Sequence, residues 1–375
     1  MKILVGFSGG VDSAVAAYLL KKQGHDVSGA FMRNWDAFAN NDFLGNPTIN
    51  DNQCPQEKDY DDAVIAANKI GIELLRVDFV KEYWDKVFSH FLKEYEEGRT
   101  PNPDLFCNKH IKFDSFLKFA KDNGFDMIAM GHYAGRVTVD GVNYIKKALD
   151  FSKDQSYFLS QINEEQISSC IFPLSDITKK DVREIARSLN LNIADKKDST
   201  GVCFIGERNF KEFLMNYLPS KDGDIVDIET NKKIGRHVGV LYYTIGQRKG
   251  LGIGGIHGED ATGWFVCKKD VKKNILYVAR RNAEKYLYSD RIIVKKLNMV
   301  KPYFEGIIPV GAKFRYRQPD NFVKIHYLNK DTIEVICDTP IKAVTPGQAA
   351  VFYEGDVMIG GGIIAETYYK DKKIN

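Results

Sequence analysis

Short apolar runs alternate with helix-like repeats over the first 205 residues. Four of these runs have the length of one buried strand: KILVGF (2–7), VSGAFM (27–32), IELLRV (72–77) and DMIAMG (126–131). Helical spacing lies between them, and the apolar positions 113, 116, 117 and 120 follow the i, i+3, i+4, i+7 repeat of one helix face. Alternating helices and apolar strands predict an α/β fold with a parallel sheet.

The pattern changes after residue 206. One helical piece, NFKEFLMNYLP (209–219), is followed by a glycine-rich tract and by a candidate hairpin, GWFVCKKDVKKNILYVARR (263–281). From residue 284 onward, short strands with turn signals predict an antiparallel β-barrel: KFRYRQ, FVKIHYL, TIEVICD and AAVFYEGDVMIGGGII. We therefore predict three domains: 1–205, a small mixed domain at 206–283, and a barrel at 284–375. The polar stretch Asn40–Lys58 reads as a long mobile insertion.

Composition is that of an ordinary globular protein, with 44% hydrophobic and 27% charged residues among 375. No apolar run approaches the roughly 18 residues that a membrane span needs, and the opening run leads into glycines rather than into a signal-peptide cleavage site. Six cysteines without a CxxC pair favour neither a disulfide scaffold nor a zinc site. We expect a cytoplasmic protein with no membrane partner.

Positive charge is concentrated in one segment. Between Lys268 and Lys301 the sequence has eleven Lys or Arg and three acidic residues. Such an excess is either a solvated face or the footprint of a phosphate backbone, and the sequence leaves both interpretations open.

GFSGGVDS (6–13) ends the first predicted strand and opens the first helix. Glycines allow a close backbone approach, and the amides at a helix start favour an anion. The alternative is a tight turn in which Asp12 or Ser13 only caps the helix. The full pattern resembles the PP-loop ATP pyrophosphatases, which cleave ATP between its α and β phosphates. That resemblance implies that Ser8 to Ser13 hold pyrophosphate and that Asp12 contacts Mg²⁺.

Two of the cysteines are candidates for chemistry. Cys107 directly precedes the predicted helix 108–120 and has Lys109 beside it, and both features favour a thiolate. Cys203 lies between Gly201 and Gly206. Core filling remains the alternative for each, and it is our interpretation of Cys170, Cys267 and Cys337, while Cys54 is undecided. Two such thiols beside an adenylating loop suggest sulfur transfer.

Several longer strings support a more specific resemblance. They occur in this order: GFSGGVDS, FMRNWD, EYEEGRTPNPDLFCNKHIKF, GHYA, KDQSYFL, KKDSTGVCFIGERNF, YYTIGQRKGLGIGG, RYRQ and TPGQAAVFY. Together they resemble the bacterial tRNA-specific 2-thiouridylase family over nearly the whole chain. The segment 36–60 and the last six or seven residues match least.

The resemblance implies a cytoplasmic sulfurtransferase for tRNA modification. ATP, with Mg²⁺, adenylates C2 of the wobble uridine, and a cysteine persulfide replaces the oxygen, releasing AMP and pyrophosphate. The implied domains are a PP-loop catalytic domain, a central tRNA-contacting domain and a β-barrel. The implied partners are wobble-uridine tRNAs, those for Glu, Gln and Lys, and a persulfide protein or cysteine desulfurase as sulfur donor.

Site residues are carried over position by position. The implied ATP site consists of Gly6, Phe7, Ser8, Gly9, Gly10, Val11, Asp12, Ser13, Met32 and Gly131. Cys203 carries the persulfide, Cys107 is the partner thiol that forms a disulfide with it, and Asp104 is the acid or base. The implied tRNA contacts are Asn102, Pro103, Asp104, His132, Lys153, Asp154, Gln155, Arg315, Tyr316 and Gln348. From the residues alone, His132 is equally well a core histidine, and Arg315–Tyr316 an exposed strand face.

Two other functions stay in view. A PP-loop ligase or amidotransferase for a small molecule would not need Cys107 and Cys203. A non-catalytic nucleotide-binding protein that docks RNA through its barrel would release no AMP.

Overall fold

The computed structural model describes residues 1–51, 54–197, 201, 205–206, 208–253, 263–280, 285–301 and 303–375. They form two compact units. Unit 1 comprises residues 1–89, 103–213 and 353–360, and unit 2 comprises 90–102, 214–352 and 361–375. Each unit draws on several segments of the chain, so the three predicted domain ranges stay a prediction.

A parallel sheet is the centre of unit 1. The strands of this part of the chain are β1 (Lys2–Gly6), β2 (Asp26–Arg33), β3 (Glu73–Asp78), β4 (Met127–Ala129), β5 (Ala134–Val139), β6 (Val142–Lys147) and β7 (Cys170–Ile171). Five of them pair in the order β3-β2-β1-β4-β7, and every pairing is parallel. The predicted parallel α/β fold is therefore confirmed.

The α-helices in the described residues are α1 (Val11–Lys22), α2 (Pro55–Ile70), α3 (Val80–Tyr83), α4 (Ser89–Glu96), α5 (Pro103–Cys107), α6 (Phe116–Asp122), α7 (Glu164–Ser168), α8 (Lys179–Ser188) and α9 (Phe210–Met215). Of these, α1, α2 and α6 pack against strands of the parallel sheet. Helix α1 is apolar on most sides, and its alanines Ala14, Ala16 and Ala17 have no exposed surface. Small side chains allow α1 to lie close to the sheet and to α2 and α8.

Strands β5 and β6 form an antiparallel hairpin that the sequence pattern did not predict. Two residues from far along the chain extend it, because Val357 pairs with Lys146 and Met358 pairs with Ile145. Alternation is weak in β5, whose outer half is exposed. The hairpin depends on a long-range pairing that a local pattern cannot show.

The segment expected to be a mobile insertion is packed in its described part. Asp42 has no exposed surface, and it accepts hydrogen bonds from Trp35 Nε1 at 3.0 Å and from Arg208 at 2.8 Å. Helix α2 already begins at Pro55. The expectation of a long mobile insertion at 40–58 was therefore wrong for these residues, because a buried ion pair holds the segment.

Unit 2 is built mainly from strands. They are β8 (Gly223–Asp227), β9 (Lys233–His237), β10 (Trp264–Asp270), β11 (Ile275–Arg280), β12 (Tyr288–Met299), β13 (Ile307–Lys313), β14 (Asn321–Asn329), β15 (Thr332–Lys342), β16 (Ala349–Glu354), β17 (Val357–Tyr369) and β18 (Lys372–Lys373), of which residues 353–360 belong to unit 1. A four-stranded sheet has the order β10-β11-β8-β9. Its antiparallel β10–β11 pair confirms the predicted hairpin.

The C-terminal strands form the predicted antiparallel barrel. Their order is β12-β15-β14-β13-β16-β17, and a further β12–β17 pairing closes the barrel. One predicted strand is wrong, since β13 ends at Lys313 and most of KFRYRQ forms a turn. No helix in the described ranges is long and apolar enough to cross a membrane.

Candidate active site

The loop Gly6–Ser13 connects β1 to α1 and is shaped by its glycines. Gly9 has a φ of +73°, and a Cβ there would collide with the carbonyl oxygen of Asp59. Ser13 Oγ accepts a hydrogen bond from the Ser8 amide at 3.1 Å and donates one to the Gly10 carbonyl at 3.0 Å. No side chain of the described residues caps α1. The conformation of the loop is thus fixed by its own hydrogen bonds. The first backbone amides of α1 have no side-chain cap, an arrangement that favours an anion.

Asp12, in the first turn of α1, is held by two other side chains. Lys179 Nζ donates to both of its carboxylate oxygens at 2.8 Å, and the Tyr133 hydroxyl donates to Oδ1 at 2.7 Å. Lys179 and Tyr133 are 8% and 3% exposed, whereas the Asp12 side chain is 32% exposed. These three residues, the Asp12 cluster, therefore place one fixed carboxylate and one buried cation at the C-terminal end of the loop.

Sequence reasoning missed Lys179 and Tyr133. A signal for Lys179 did exist: in α8 the buried positions are 179, 182 and 186, so this lysine occupies the apolar face of its helix. Its neighbour Lys180 lies on the outer face, with a side chain 83% exposed. Nothing local connects either residue to Asp12, from which Lys179 is separated by 167 positions.

A second lysine approaches the loop from another direction. Lys196 Nζ donates to the Gly9 carbonyl at 3.2 Å and to the carboxylates of Asp59 and Asp62 at 2.7 Å. Burial alone lowers its pKa, but the two carboxylates outweigh burial and raise it. Lys196 therefore stays charged and ties the loop to α2.

Met32 and Gly131, the predicted adenosine contacts, both lie beside this loop. A Cβ on Gly6 would be 3.1 Å from Met32 Cε, and a Cβ on Gly131 would be 2.9 Å from the Ser13 nitrogen. At Gly131 only glycine allows the approach, because the neighbouring atoms belong to the backbone. The structure thus brings the predicted ATP residues together, although their role in binding stays a prediction.

Cys107 is placed differently from the expectation. The helical segment begins at Pro103, and Cys107 is the last residue of α5, continuing into a π-helical stretch, Asn108–Ser115. Because Asp104 occupies the first turn, the favourable helix start acts on Asp104 and not on the Cys107 thiol. The prediction that Cys107 directly precedes the helix was wrong. Its side chain has no exposed surface.

The other thiols divide as expected where the structure describes them. Cys170, Cys267 and Cys337 are buried, and burial raises the pKa of each, to about 12 for the last two. Their predicted core positions are confirmed. Cys203 lies outside the described residues, so the Cys107–Cys203 pairing stays a prediction from the resemblance.

The predicted tRNA contacts of unit 1 are largely structural in this conformation. His132 is 8% exposed, and burial keeps its pKa well below the ordinary value. Asp154 is buried and accepts from the Ala148 amide and the Ser156 hydroxyl. Gln155 accepts from the Tyr133 amide at 3.0 Å and so supports the Asp12 cluster, while Lys153 is partly exposed.

Those of unit 2 also make internal contacts. Arg315 donates to the carbonyls of Ile245 and Ala343, and Tyr316 follows it in the turn after β13. Gln348 Nε2 donates to the Thr100 carbonyl at 2.7 Å, which holds the chain two residues before Asn102. Pro103 and Asp104, which belong to unit 1, are partly exposed. Whether these residues touch RNA stays a prediction.

Comparisons with known proteins cover almost the whole chain. Three family models match: the tRNA methyl transferase HUP domain at 1–207, the tRNA methyl transferase PRC-barrel domain at 211–280, and the aminomethyltransferase β-barrel domain at 289–364. The tRNA-specific 2-thiouridylase MnmA of Mycoplasma capricolum is 53% identical over 97% of this chain and 98% of that protein.

The proteins of the same name from Metamycoplasma arthritidis and Acholeplasma laidlawii are 52% and 50% identical, each over 99% of this chain and 98% of their own length. The chain belongs to the tRNA-specific 2-thiouridylase family. The resemblance inferred from the ordered strings is therefore confirmed, as is the fold class that it implied.

Proposed function

We propose that this chain is an ATP-dependent tRNA uridine 2-sulfurtransferase. The full-length similarity to proteins named tRNA-specific 2-thiouridylase carries the proposal. The Asp12 cluster supports its ATP step, because a glycine loop at a helix start and a buried cation suit the phosphates of a nucleotide.

The adenylation step assigns roles to the residues of unit 1. The loop amides hold the leaving pyrophosphate, Lys179 neutralises charge beside it, and Met32 and Gly131 flank the adenosine. The uridine O2 attacks the α-phosphorus of ATP, and the bond to pyrophosphate breaks. Adenylation is needed because AMP is a much better leaving group than the C2 oxygen alone.

Mg²⁺ fits this site only together with the nucleotide. The structure offers Asp12 as a single carboxylate, and Mg²⁺ is commonly bound by one or two carboxylates plus substrate phosphates. The described residues contain no cluster of three or more potential metal ligands. When bound, the ion would neutralise the leaving pyrophosphate, and Asp12 would be the residue that orients it.

Sulfur transfer is assigned to the two cysteines. The terminal sulfur of a Cys203 persulfide attacks C2, AMP leaves with the oxygen, and Cys203 is left joined to the base through a disulfide. The Cys107 thiolate then attacks the Cys203 sulfur, which frees the 2-thiouridine and leaves a Cys107–Cys203 disulfide for an external thiol to reduce. Alternatively, Cys107 attacks the persulfide first and liberates hydrosulfide, which attacks C2.

The tRNA side of the proposal concerns the wobble uridine of the Glu, Gln and Lys tRNAs. Asn102, Pro103 and Asp104 would contact the base, with Asp104 as the acid or base. Proline on both sides of Asn102 stiffens the segment, which suits a pocket for a base turned out of its stack. A persulfide-carrying protein or a cysteine desulfurase would load Cys203.

Mass analysis of tRNA tests this function directly. Wild-type protein is incubated with the tRNA, ATP, Mg²⁺ and a sulfide or persulfide donor. We expect replacement of one oxygen by sulfur on the wobble uridine, with release of AMP. Methylation, which the description of two matching models suggests, gives a different mass gain and gives the phosphate-binding loop no role.

Cysteine variants separate the remaining alternatives. We expect Cys203→Ser to form adenylated tRNA without transferring sulfur and Cys107→Ala to form no 2-thiouridine. Cys170→Ala is the matched control, because Cys170 is also fully buried in unit 1. Normal thiolation by the Cys107 and Cys203 variants would exclude the sulfur-relay role.

A further inference from the structure

Unit 2 contains a cavity of about 430 Å³ that the roles above leave unused. Residues from six stretches of the chain line it. The charged and hydroxyl-bearing residues among its lining are Glu97, Arg99, Thr100, Lys268, Lys269, Thr345 and Lys373. Four cationic side chains and one carboxylate side chain line the cavity, so its side chains favour an anion.

The four cationic side chains differ in whether a carboxylate of the protein pairs with them. Arg99 pairs with Glu94 and Glu97, and Lys373 pairs with Glu366 at 3.1 Å. Lys268 and Lys269 have no carboxylate partner in the described part of the chain. The cavity thus retains two amines whose charge the protein does not balance.

Lys269 is the more informative of these two residues. Its Nζ donates to the Tyr243 carbonyl at 2.9 Å, its one hydrogen bond to the described residues. The residue is partly exposed, but burial lowers the pKa of its amine to about 7. A buried amine without a counter-charge destabilises a fold, and a bound anion would relieve that penalty.

Thr100 adds a second unsatisfied group on the same wall. It is 8% exposed, and its Oγ1 has no hydrogen-bond partner among the described residues. Its backbone is fixed, because its amide donates to the Pro346 carbonyl at 2.9 Å and Gln348 donates to its own carbonyl. Gly347, with a φ of +95°, permits this contact, since a Cβ there would be 2.9 Å from the Thr100 nitrogen.

The position of Thr100 in the chain suggests which anion binds. Asn102, assigned above to the target uridine, is two residues further on, and two residues span at most about 7 Å. That reach is comparable to the separation between a base and the phosphates of its own nucleotide. Because the cavity is polar and single-stranded RNA carries one charge per phosphate, a backbone phosphate is the anion that would reach it.

We propose that this cavity binds a phosphodiester of the tRNA strand beside the target uridine, with Lys268, Lys269 and Thr100 as its donors. The inference rests on the proposed function. In this arrangement the loop 345–348 is a positioning element, because it holds Thr100 and the chain that leads to Asn102.

Binding of an anticodon stem-loop RNA to full-length variants tests the site. We expect Lys269→Met to weaken binding by about 10-fold, as for loss of one hydrogen bond to a charged group. The slope of log affinity against log salt concentration should fall by roughly 0.7, the value for one phosphate on a single strand. Thr100→Val, which keeps the shape, should weaken binding to a smaller extent. Lys272→Met is the matched control, since Lys272 is exposed on the next turn and does not line the cavity.

Two further measurements make the outcome decisive. Lys269→Met should melt at the same temperature as wild type or higher, because it removes an unbalanced buried amine, so weaker binding would not reflect unfolding. A methylphosphonate placed 5′ or 3′ of the wobble uridine should weaken wild-type binding at one position and leave Lys269→Met unaffected there.

The proposal is overturned if Lys269→Met binds RNA with wild-type affinity and salt slope. It is equally overturned if the variant loses ATP affinity instead, which would assign the cavity to the nucleotide. If wild-type protein fails to thiolate tRNA, the proposed function fails, and the binding comparison still decides whether the cavity takes a phosphate.

Discussion

Two desolvated lysines, one in each unit, have opposite electrostatic environments. Lys179 in unit 1 contacts both oxygens of the Asp12 carboxylate, whereas Lys269 in unit 2 contacts only the Tyr243 carbonyl. A paired lysine is charged and oriented before any ligand arrives. An unpaired one leaves charge unbalanced until an anion binds. On the roles proposed above, this difference would make unit 1 pre-organised for adenylation, whereas the unit 2 cavity would be completed by the phosphate that it binds.

The largest expected effect tests the paired lysine. We expect Lys179→Met to slow tRNA-dependent AMP release by ~10²–10³-fold, the cost of removing one preorganised donor from developing charge. Lys180→Met is the control, because Lys180 is adjacent and exposed. An Asp12→Asn, Lys179→Met double variant should lose less than the product of the two single losses, since the residues act as a pair. Wild-type AMP release by Lys179→Met would remove the pairing from the mechanism.

The next effect concerns the charge of the unpaired lysine. Because burial lowers the pKa of Lys269 to about 7, its amine gains a proton as the pH falls through that value. The other charged side chains that line the cavity are Glu97, Arg99, Lys268 and Lys373. RNA binding should therefore tighten as the pH falls. The gain should be up to about 10-fold if bound RNA raises the pKa of Lys269 by one unit.

Binding titrations one pH unit above and one below this pKa measure the effect. Lys269→Met, which has no group to titrate, should show a flatter profile than wild type. Identical pH profiles for the two proteins would mean that Lys269 does not respond to the RNA.

A smaller effect is expected at the second partner of Asp12. Tyr133→Phe removes one hydrogen bond to a carboxylate but leaves Lys179 in place. The expected loss is about 1–2 kcal/mol, or roughly 5- to 30-fold in kcat/KM for ATP. Tyr144→Phe serves as the control, because Tyr144 is partly exposed on β6, away from Asp12. If both variants keep wild-type kcat/KM, Lys179 alone positions Asp12.

The smallest expected effect is on stability. The folded pKa of Lys269 is lowered from 10.5 to about 7, so between these values the unfolded state holds the extra proton. The free energy of unfolding of the wild type should therefore rise with pH in that window. Below the window, the folded state bears the full cost of holding the charged amine of Lys269. Lys269→Met should therefore be more stable by a Tm difference of a few degrees near neutral pH, and the difference should shrink toward pH 10.5. Thermal unfolding at several pH values checks this, and a constant difference would contradict it.

The comparison also shows where sequence reasoning succeeded. Apolar runs predicted β1 to β4 and the barrel strands β14 to β17, because burial imposes a pattern on the residues that form a strand. Strand β12 and most of β13 were not predicted. Reasoning failed where a long-range contact decides the structure. The hairpin β5–β6 is extended by residues 357–358, and Asp42 is buried by Arg208 from 166 positions away.

The site divides in the same way. The loop Gly6–Ser13 and the cysteine-containing strings were recognisable from the sequence. Tight turns and close backbone approaches require glycine or proline at set positions, so these residues occur in a fixed order. The start of the helix at Pro103 was misjudged, although proline is common at the first helical position. Because the helix begins at Pro103 and not after Cys107, its positive end does not favour the thiolate of Cys107 as the sequence analysis expected.

By itself, then, the sequence determined the fold class, the family and the position of the glycine-rich loop at 6–13, since each is encoded in neighbouring residues. Only the tertiary structure decided which lysine pairs with Asp12 and which is left unpaired. Lys179 and Asp12 are 167 residues apart, and no local pattern records such a pair. Packing selects it, because burying a charge is favourable only when another part of the chain, or a ligand, supplies the opposite one.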